Sequence, residues 1–110
     1  MKPLQEPGNG WEMYAELHPD ADREFIEHAL FYERREPGLG QRFIDEIERG
    51  ITLLVTQPQV GPELDEQLRY LVLDDFPFSL IYRIEPERIW IIAVTHQSRR
   101  PGYWRGRIDR

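Results

Sequence analysis

The last forty residues hold three apolar runs in succession, 68–73, 78–85 and 88–97, divided by short polar corners. Runs of this length, rich in β-branched and aromatic side chains and bounded by Asp, Pro and Glu, predict strands. Asp74-Asp75 forms the first corner, and residues 85–88, Glu-Pro-Glu-Arg, form the second. Strands joined by hairpin turns pair antiparallel, so the second half of this chain is constrained to a sheet. The third run should be central, and it leads directly into His96, Arg99, Arg100, Tyr103 and Trp104.

The first half supplies the rest of the fold. Trp11, Met13, Ala15 and Leu17 alternate with Glu12, Tyr14 and Glu16, a period of two that predicts a half-buried strand over 11–17. His18-Pro19-Asp20 then starts a helix. Proline suits the first helical position, Asp20 and Asp22 sit at its positive end, and His18 is placed to cap it. That helix is expected over 19–35, with Ala21, Phe25, Ala29 and Tyr32 on one face, widened by Ile26, Leu30 and Phe31. Pro37-Gly38-Leu39-Gly40 breaks it, and a second helix is expected over 39–56 with Phe43, Ile47, Ile51 and Leu54 inward. Gln57-Pro58 stops that helix. Gly50 lies inside it at a cost of about 1 kcal/mol relative to alanine. Close approach of the first helix is the expected reason for it.

Two helices joined by so short a turn are antiparallel neighbours. The order is β-α-α-β-β-β, an α+β fold in which an antiparallel helical hairpin packs on one face of a mainly antiparallel sheet. Residues 1–10 read as a disordered lead-in, residues 11–110 as a single domain, and residues 101–107 as a short closing helix.

Composition removes several kinds of chemistry. No cysteine is present, which excludes disulfides, thiolate zinc sites and a cysteine nucleophile. The longest unbroken apolar run, 89–94, falls far short of the roughly 20 residues that cross a bilayer, so no membrane association is expected. The first residues carry no apolar leader, and a cytoplasmic location is expected. The net charge of −6 is unevenly divided: residues 1–67 hold 6 basic and 15 acidic side chains, residues 68–110 hold 8 and 5. All the basic residues in the second part are arginine, whose planar fork suits phosphate and carboxylate.

Arg69 and Arg83 flank apolar strand positions and are candidates to project together toward an anionic partner; the alternative is local pairing with Glu or Asp. His96 ends the third run three residues before Arg99. Its ring could exchange a proton near neutral pH, with Arg99 or Arg100 stabilising charge on a phosphate. The plainer alternative is a ring nitrogen bonded to a backbone carbonyl, ordering the C-terminal segment. His28 follows Glu24 by four residues, spacing that suits a surface pair better than a metal site, and no metal or other cofactor is expected. Residues 37–40 lack the Lys-Ser/Thr ending of a phosphate loop. Trp90, Tyr103 and Trp104 fit a core or lid, with Trp104 packed over the sheet.

Laid out this way, the chain resembles the RelE/ParE superfamily of toxins from bacterial type II toxin–antitoxin systems, often labelled plasmid stabilisation proteins. The resemblance is carried by His18-Pro19-Asp-Ala-Asp, Pro37-Gly-Leu-Gly-Gln-Arg-Phe43, Gln57-Pro58-Gln-Val-Gly61-Pro62 and Leu68-Arg69-Tyr70. Its strongest parts are Phe76-Pro77-Phe78-Ser-Leu-Ile81-Tyr82-Arg83 and Val94-Thr-His96-Gln-Ser-Arg99-Arg100-Pro101-Gly-Tyr-Trp104. It implies a small growth-inhibiting toxin neutralised by a cognate antitoxin, in a toxin–antitoxin hetero-oligomer. RelE-like members cut messenger RNA on the ribosome; ParE-like members bind DNA gyrase without chemistry of their own. The RelE-like branch uses lysines and arginines along an RNA groove, whereas this chain has no lysine after Lys2 and carries Asp74-Asp75 where such proteins carry basic residues.

The ParE-like reading is therefore preferred. In it Arg69, Arg83, Arg99, Arg100, Tyr103 and Trp104 bind the target. One alternative is a metal-independent endoribonuclease using His96, Arg99 and Arg100. Another is a family member that has lost toxicity.

Overall fold

The computed structural model describes residues 13–108. The expected lead-in over 1–10, and Trp11 and Glu12 of the first expected strand, lie outside the described residues. The elements run β1 (Tyr14–Leu17), α1 (Pro19–Arg35), α2 (Leu39–Thr56), β2 (Arg69–Val72), β3 (Phe78–Ile84) and β4 (Arg88–His96), followed by a 3-10 turn at Arg105–Arg107. Both helices keep their expected bounds because the signals there are local. His18 Nδ1 accepts the Asp20 N–H at 3.0 Å, a side-chain cap on the first turn, with Pro19 inside it. At the start of α2 the cap position is Gly38, with φ of 90°, a left-handed conformation that side chains with a Cβ resist.

The four strands form one sheet in the order β1-β4-β3-β2. β4 pairs antiparallel with β3, and β3 with β2, as hairpin corners require. β1 pairs parallel with β4, with Tyr14 opposite Arg88 and Leu17 opposite Ile91. The helical hairpin thus belongs to the long crossover that a parallel pair needs. A register shift sets Ile81 opposite Ala93 but Tyr82 opposite Ile91, which leaves Ile92 as an extra residue in β4.

Two apolar layers sandwich the sheet. On the helical side Phe43, Ile47, Ile51 and Leu54 meet Ala15, Leu17, Phe78, Leu80, Tyr82, Ile89, Ile91 and Val94. On the other side Leu68, Ile81, Trp90, Ile92 and Ala93 are covered by Trp104, with Tyr70, Tyr103 and Ile108 at the margin. Residues 101–104 are turns leading to the single 3-10 turn, so the closing helix expected over 101–107 is instead a strap laid across the second face. Its Gly102, with φ of 84°, interrupts helical geometry.

Two helical expectations need correction. Ile26, Leu30 and Phe31 do not widen the buried face of α1; each is about half exposed, because α2 covers only the stripe through Ala21, Phe25, Ala29 and Tyr32. Gly50 does not face α1. A Cβ there would meet Leu80 at 3.2 Å and Leu73 at 3.4 Å, so it is the sheet that comes close. The tight contact between helices is at Gly40, where a Cβ would lie 2.6 Å from the Ala29 carbonyl oxygen.

Candidate functional site

Antiparallel partners place their side chains on the same face, and this settles where the strand arginines point. Arg69 pairs with Tyr82, on the helical side; Arg83 pairs with Trp90, on the strap side. The two do not project from one face. Each is also held by its own neighbours. Arg69 donates to the Gly61 carbonyl at 2.8 Å and lies 3.4 Å from Glu63. Arg83 donates twice to Glu85, at 2.9 and 2.6 Å.

Glu85 also accepts from Arg88 at 2.6 Å, and Arg88 reaches Glu16 at 2.8 Å while stacking over Trp90. Burial works to raise the Glu85 carboxyl pKa, but hydrogen bonds from Arg88 and Arg83 outweigh it and hold the group below its ordinary range. This cluster fastens the β3–β4 turn to β1.

The other end of the sheet differs. Phe78 is opposite His96, so the start of β3 and the end of β4 meet there, roughly 16 Å along the strand from Arg83 at 3.3 Å per residue. The next residues turn back: Gln97 N–H bonds the Pro77 carbonyl and Arg99 N–H bonds the His96 carbonyl. Arg99 and Arg100 are exposed. Arg99 rests over the Tyr103 ring at 4.0 Å, a cation–π contact. Among the described residues from 68 onward, Arg69, Arg83, Arg88, Arg105 and Arg107 have carboxylate partners, and Arg99 and Arg100 have none. Structure therefore brings together His96, Arg99, Arg100 and Tyr103, and leaves Arg69 and Arg83 elsewhere.

His96 orders the segment, though not through a carbonyl. Its Nδ1 accepts the Ser98 backbone N–H at 2.9 Å and lies 2.7 Å from Ser98 Oγ. A backbone N–H can only donate, so Nδ1 is the unprotonated nitrogen and the proton of the neutral ring sits on Nε2. That tautomer makes Nε2 a donor, with Nδ1 already engaged by Ser98. The ring packs edge-on against Phe78 at 5.0 Å, and no carboxylate bonds it among the described residues. Trp104 is buried under the sheet, only 6% exposed, and anchors the strap instead of reaching outward.

Two residues that sequence reasoning passed over hold this end in shape. Glu24 of α1 is buried, and it accepts Arg107 Nη1 and Nη2 at 2.9 Å each, Tyr103 Oη at 2.6 Å and the Val94 N–H at 3.1 Å. Arg107 Nη1 also donates to the Ile92 carbonyl at 3.0 Å. β1 ends at Leu17, with His18 N–H still bonded to the Ile91 carbonyl, and beyond that point these two side chains take over the open edge of β4. His28 accordingly pairs with the Glu24 carbonyl oxygen at 2.7 Å, not with its carboxylate. The available signal was Glu24 itself, a carboxylate three residues from Ala21 on the inward stripe; nothing local marks Arg107.

Burial and the Glu24 bond push the Tyr103 hydroxyl pKa up to about 12. Burial works to lower that of Arg107, but Glu24 outweighs it and the guanidinium stays charged. No three His, Cys, Asp or Glu side chains converge as a metal site among the described residues. No helix there is long and apolar enough to cross a membrane.

The shape matches a solved chain described as "Chromosomal ParDE TA system from P. aeruginosa", with a TM-score of 0.68 and 19% identity over 77% of this chain and 96% of that one. At that identity the likeness concerns the fold. No curated protein matches the chain. Residues 15–101 match the family model described as ParE toxin of type II toxin–antitoxin system, parDE. That span takes in the sheet, the helical hairpin and the Arg99-Arg100 turn, and the chain belongs to the ParE toxin family of type II toxin–antitoxin systems.

Proposed function

We propose that this chain, acting as a single domain, arrests growth by docking on a target enzyme, DNA gyrase, and is silenced in a complex with a cognate antitoxin. Family membership supports the toxin class, and likeness to a chain of a ParDE toxin–antitoxin system supports an antitoxin partner. One observation carries the choice of surface: Arg99 and Arg100 are adjacent, exposed and unpaired, while the other described arginines from residue 68 onward are tied to acids. Unpaired guanidinium groups meet an acidic partner without first losing an internal bond, and such charge sets encounter rate and partner choice. Tyr103 orients Arg99 from below. His96 holds the turn that presents both. The reading requires no metal and no cofactor.

The test is induction in a bacterial host without antitoxin, combined with a supercoiling assay on purified gyrase. Wild type should stop growth and block supercoiling, and Arg99→Ala/Arg100→Ala should lose both while melting as wild type does. Normal growth on induction would overturn the toxin reading in that host. Intact supercoiling with RNA cut at defined positions, abolished by His96→Ala, would replace target docking by RNA cleavage.

A further inference from the structure

The outward face of α1 carries an apolar stripe that the helical hairpin leaves open. Ile26, Leu30 and Phe31 are 52%, 49% and 49% exposed. Helical spacing puts them on adjoining turns, where they form one contiguous patch. Glu27 and Arg34 fall on the same stripe, and both are exposed.

The charges are placed symmetrically about the apolar middle. Glu27 stands three residues before Leu30, and Arg34 stands three residues after Phe31. They are seven residues apart, roughly 10 Å along the axis, too far to pair with each other. Helix surfaces favour an acid three or four residues before a base. At those spacings beyond Glu27 stand Leu30 and Phe31, and the same two residues precede Arg34. Glu27 has only Arg23, at 3.8 Å and in the less favourable order, and Arg23 is already bonded to Asp20 at 2.9 Å. Arg34 has no carboxylate partner among the described residues.

We propose that α1 pairs antiparallel with α1 of a second copy of this chain, about a twofold axis midway between Leu30 and Phe31. In that register Leu30 faces Phe31 of the second copy and Glu27 faces its Arg34, and symmetry makes each contact twice. Arg35, whose guanidinium lies 5.5 Å over the Phe31 ring, faces Ile26 of the second copy and lays its apolar stem along it. An isologous contact demands a surface complementary to itself, and an acid and a base equally spaced about an apolar centre meet that demand. A partner of one charge sign satisfies only half of it. The apolar centre is small, so the pairing is reversible. The stripe shares no residue with the Arg99-Arg100 turn, and the inference needs neither gyrase nor an antitoxin.

The test is analytical ultracentrifugation of the full-length chain from about 1 µM to about 1 mM. A monomer–dimer equilibrium within that range is expected. Glu27→Arg and Arg34→Glu should each weaken it about tenfold or more, because each sets like charges opposite in both symmetric pairs. The double variant Glu27→Arg/Arg34→Glu should return it to within a few-fold of wild type. Leu30→Glu should abolish it. All three positions are exposed, so each variant should melt as a folded chain, and thermal scans check this. A wild-type monomer at every concentration, or a dimer that survives Leu30→Glu, would overturn the proposal. Loss of the dimer in both single charge variants with no recovery in the double would overturn the antiparallel register. A Leu30→Glu variant that loses binding to a different protein, with wild type monomeric throughout, would overturn the second copy in favour of that partner.

Discussion

Arg107 crosses 83 positions of sequence to meet Glu24, closing two 2.9 Å hydrogen bonds in the interior. Both residues are less than 10% exposed. Between them they satisfy the backbone of β4 at Ile92 and Val94 where β1 has run out. The strap that carries Arg107 also carries Tyr103 and Trp104, so one ion pair fixes the covering of a whole sheet face.

Glu24→Ala strands a buried guanidinium and should destabilise the fold by about 3–5 kcal/mol, the usual cost of breaking such a pair from one side. Glu24→Gln keeps acceptor capacity for Val94 and should cost less. Urea denaturation of the two variants checks this. Equal stability of wild type and Glu24→Ala would show that the Glu24–Arg107 pair contributes nothing to the fold.

Tyr103 and Arg99 should act as one unit in growth arrest. Tyr103→Leu removes the ring under the guanidinium, while Tyr103→Phe keeps it. If Arg99→Ala weakens gyrase inhibition, adding Tyr103→Leu should weaken it little further, and Tyr103→Phe alone should stay within a few-fold of wild type. Inhibition curves for the singles and the double measure the coupling. Fully additive losses would mean that Tyr103 does not set Arg99.

Stability should fall at both ends of the pH scale for identifiable reasons. The Glu85 carboxyl is held below its ordinary value of 4.5. As pH drops, the unfolded chain protonates this group before the folded one does, so the contribution present above 4.5 is lost as pH falls through the folded value. Glu85→Gln should flatten the acid limb of urea midpoints between roughly pH 6 and 3.

At the alkaline end the Tyr103 hydroxyl is raised from 10.0 to about 12. The folded chain keeps its proton where the unfolded chain has lost it, so stability declines as pH rises across that interval. Tyr103→Phe should remove that part of the decline, and ultraviolet titration of phenolate should lose its latest-titrating component.

Gly61 is fixed by contact. A Cβ there would collide with the Tyr70 carbonyl oxygen and lie 2.7 Å from Tyr82 Oη, which accepts the Gly61 N–H and donates to the Pro58 carbonyl at 2.7 Å. Gly61→Ala should therefore cost about 1–3 kcal/mol, more than an ordinary surface change. Gly50→Ala meets only leucine methyl groups and gains helix propensity of about 1 kcal/mol, so its net effect should be far smaller. Thermal melts of the pair would show whether backbone contact decides the difference.

Helix bounds, strand order in the chain and the hairpin corners were legible because each rests on neighbours. Pro19, Gly38 and Pro58 punctuate the helices, alternation marks β1, and Asp74-Asp75 turns the chain. The Arg99-Arg100 turn was legible for the same reason, lying directly after β4. Other features depended on partners brought close only by folding. Arg69 and Arg83 fall on opposite faces because of pairing with Tyr82 and Trp90. Gly50 faces the sheet because of how α2 sits on it. Glu24 and Arg107 are each ordinary in their own segments, and their pairing exists only once the strap has crossed the sheet. Sequence alone thus determined the elements, through backbone preferences and apolar period acting over a few residues. Tertiary structure decided which charges are spent internally and which stay free, because that depends on distances between segments that chain order does not set.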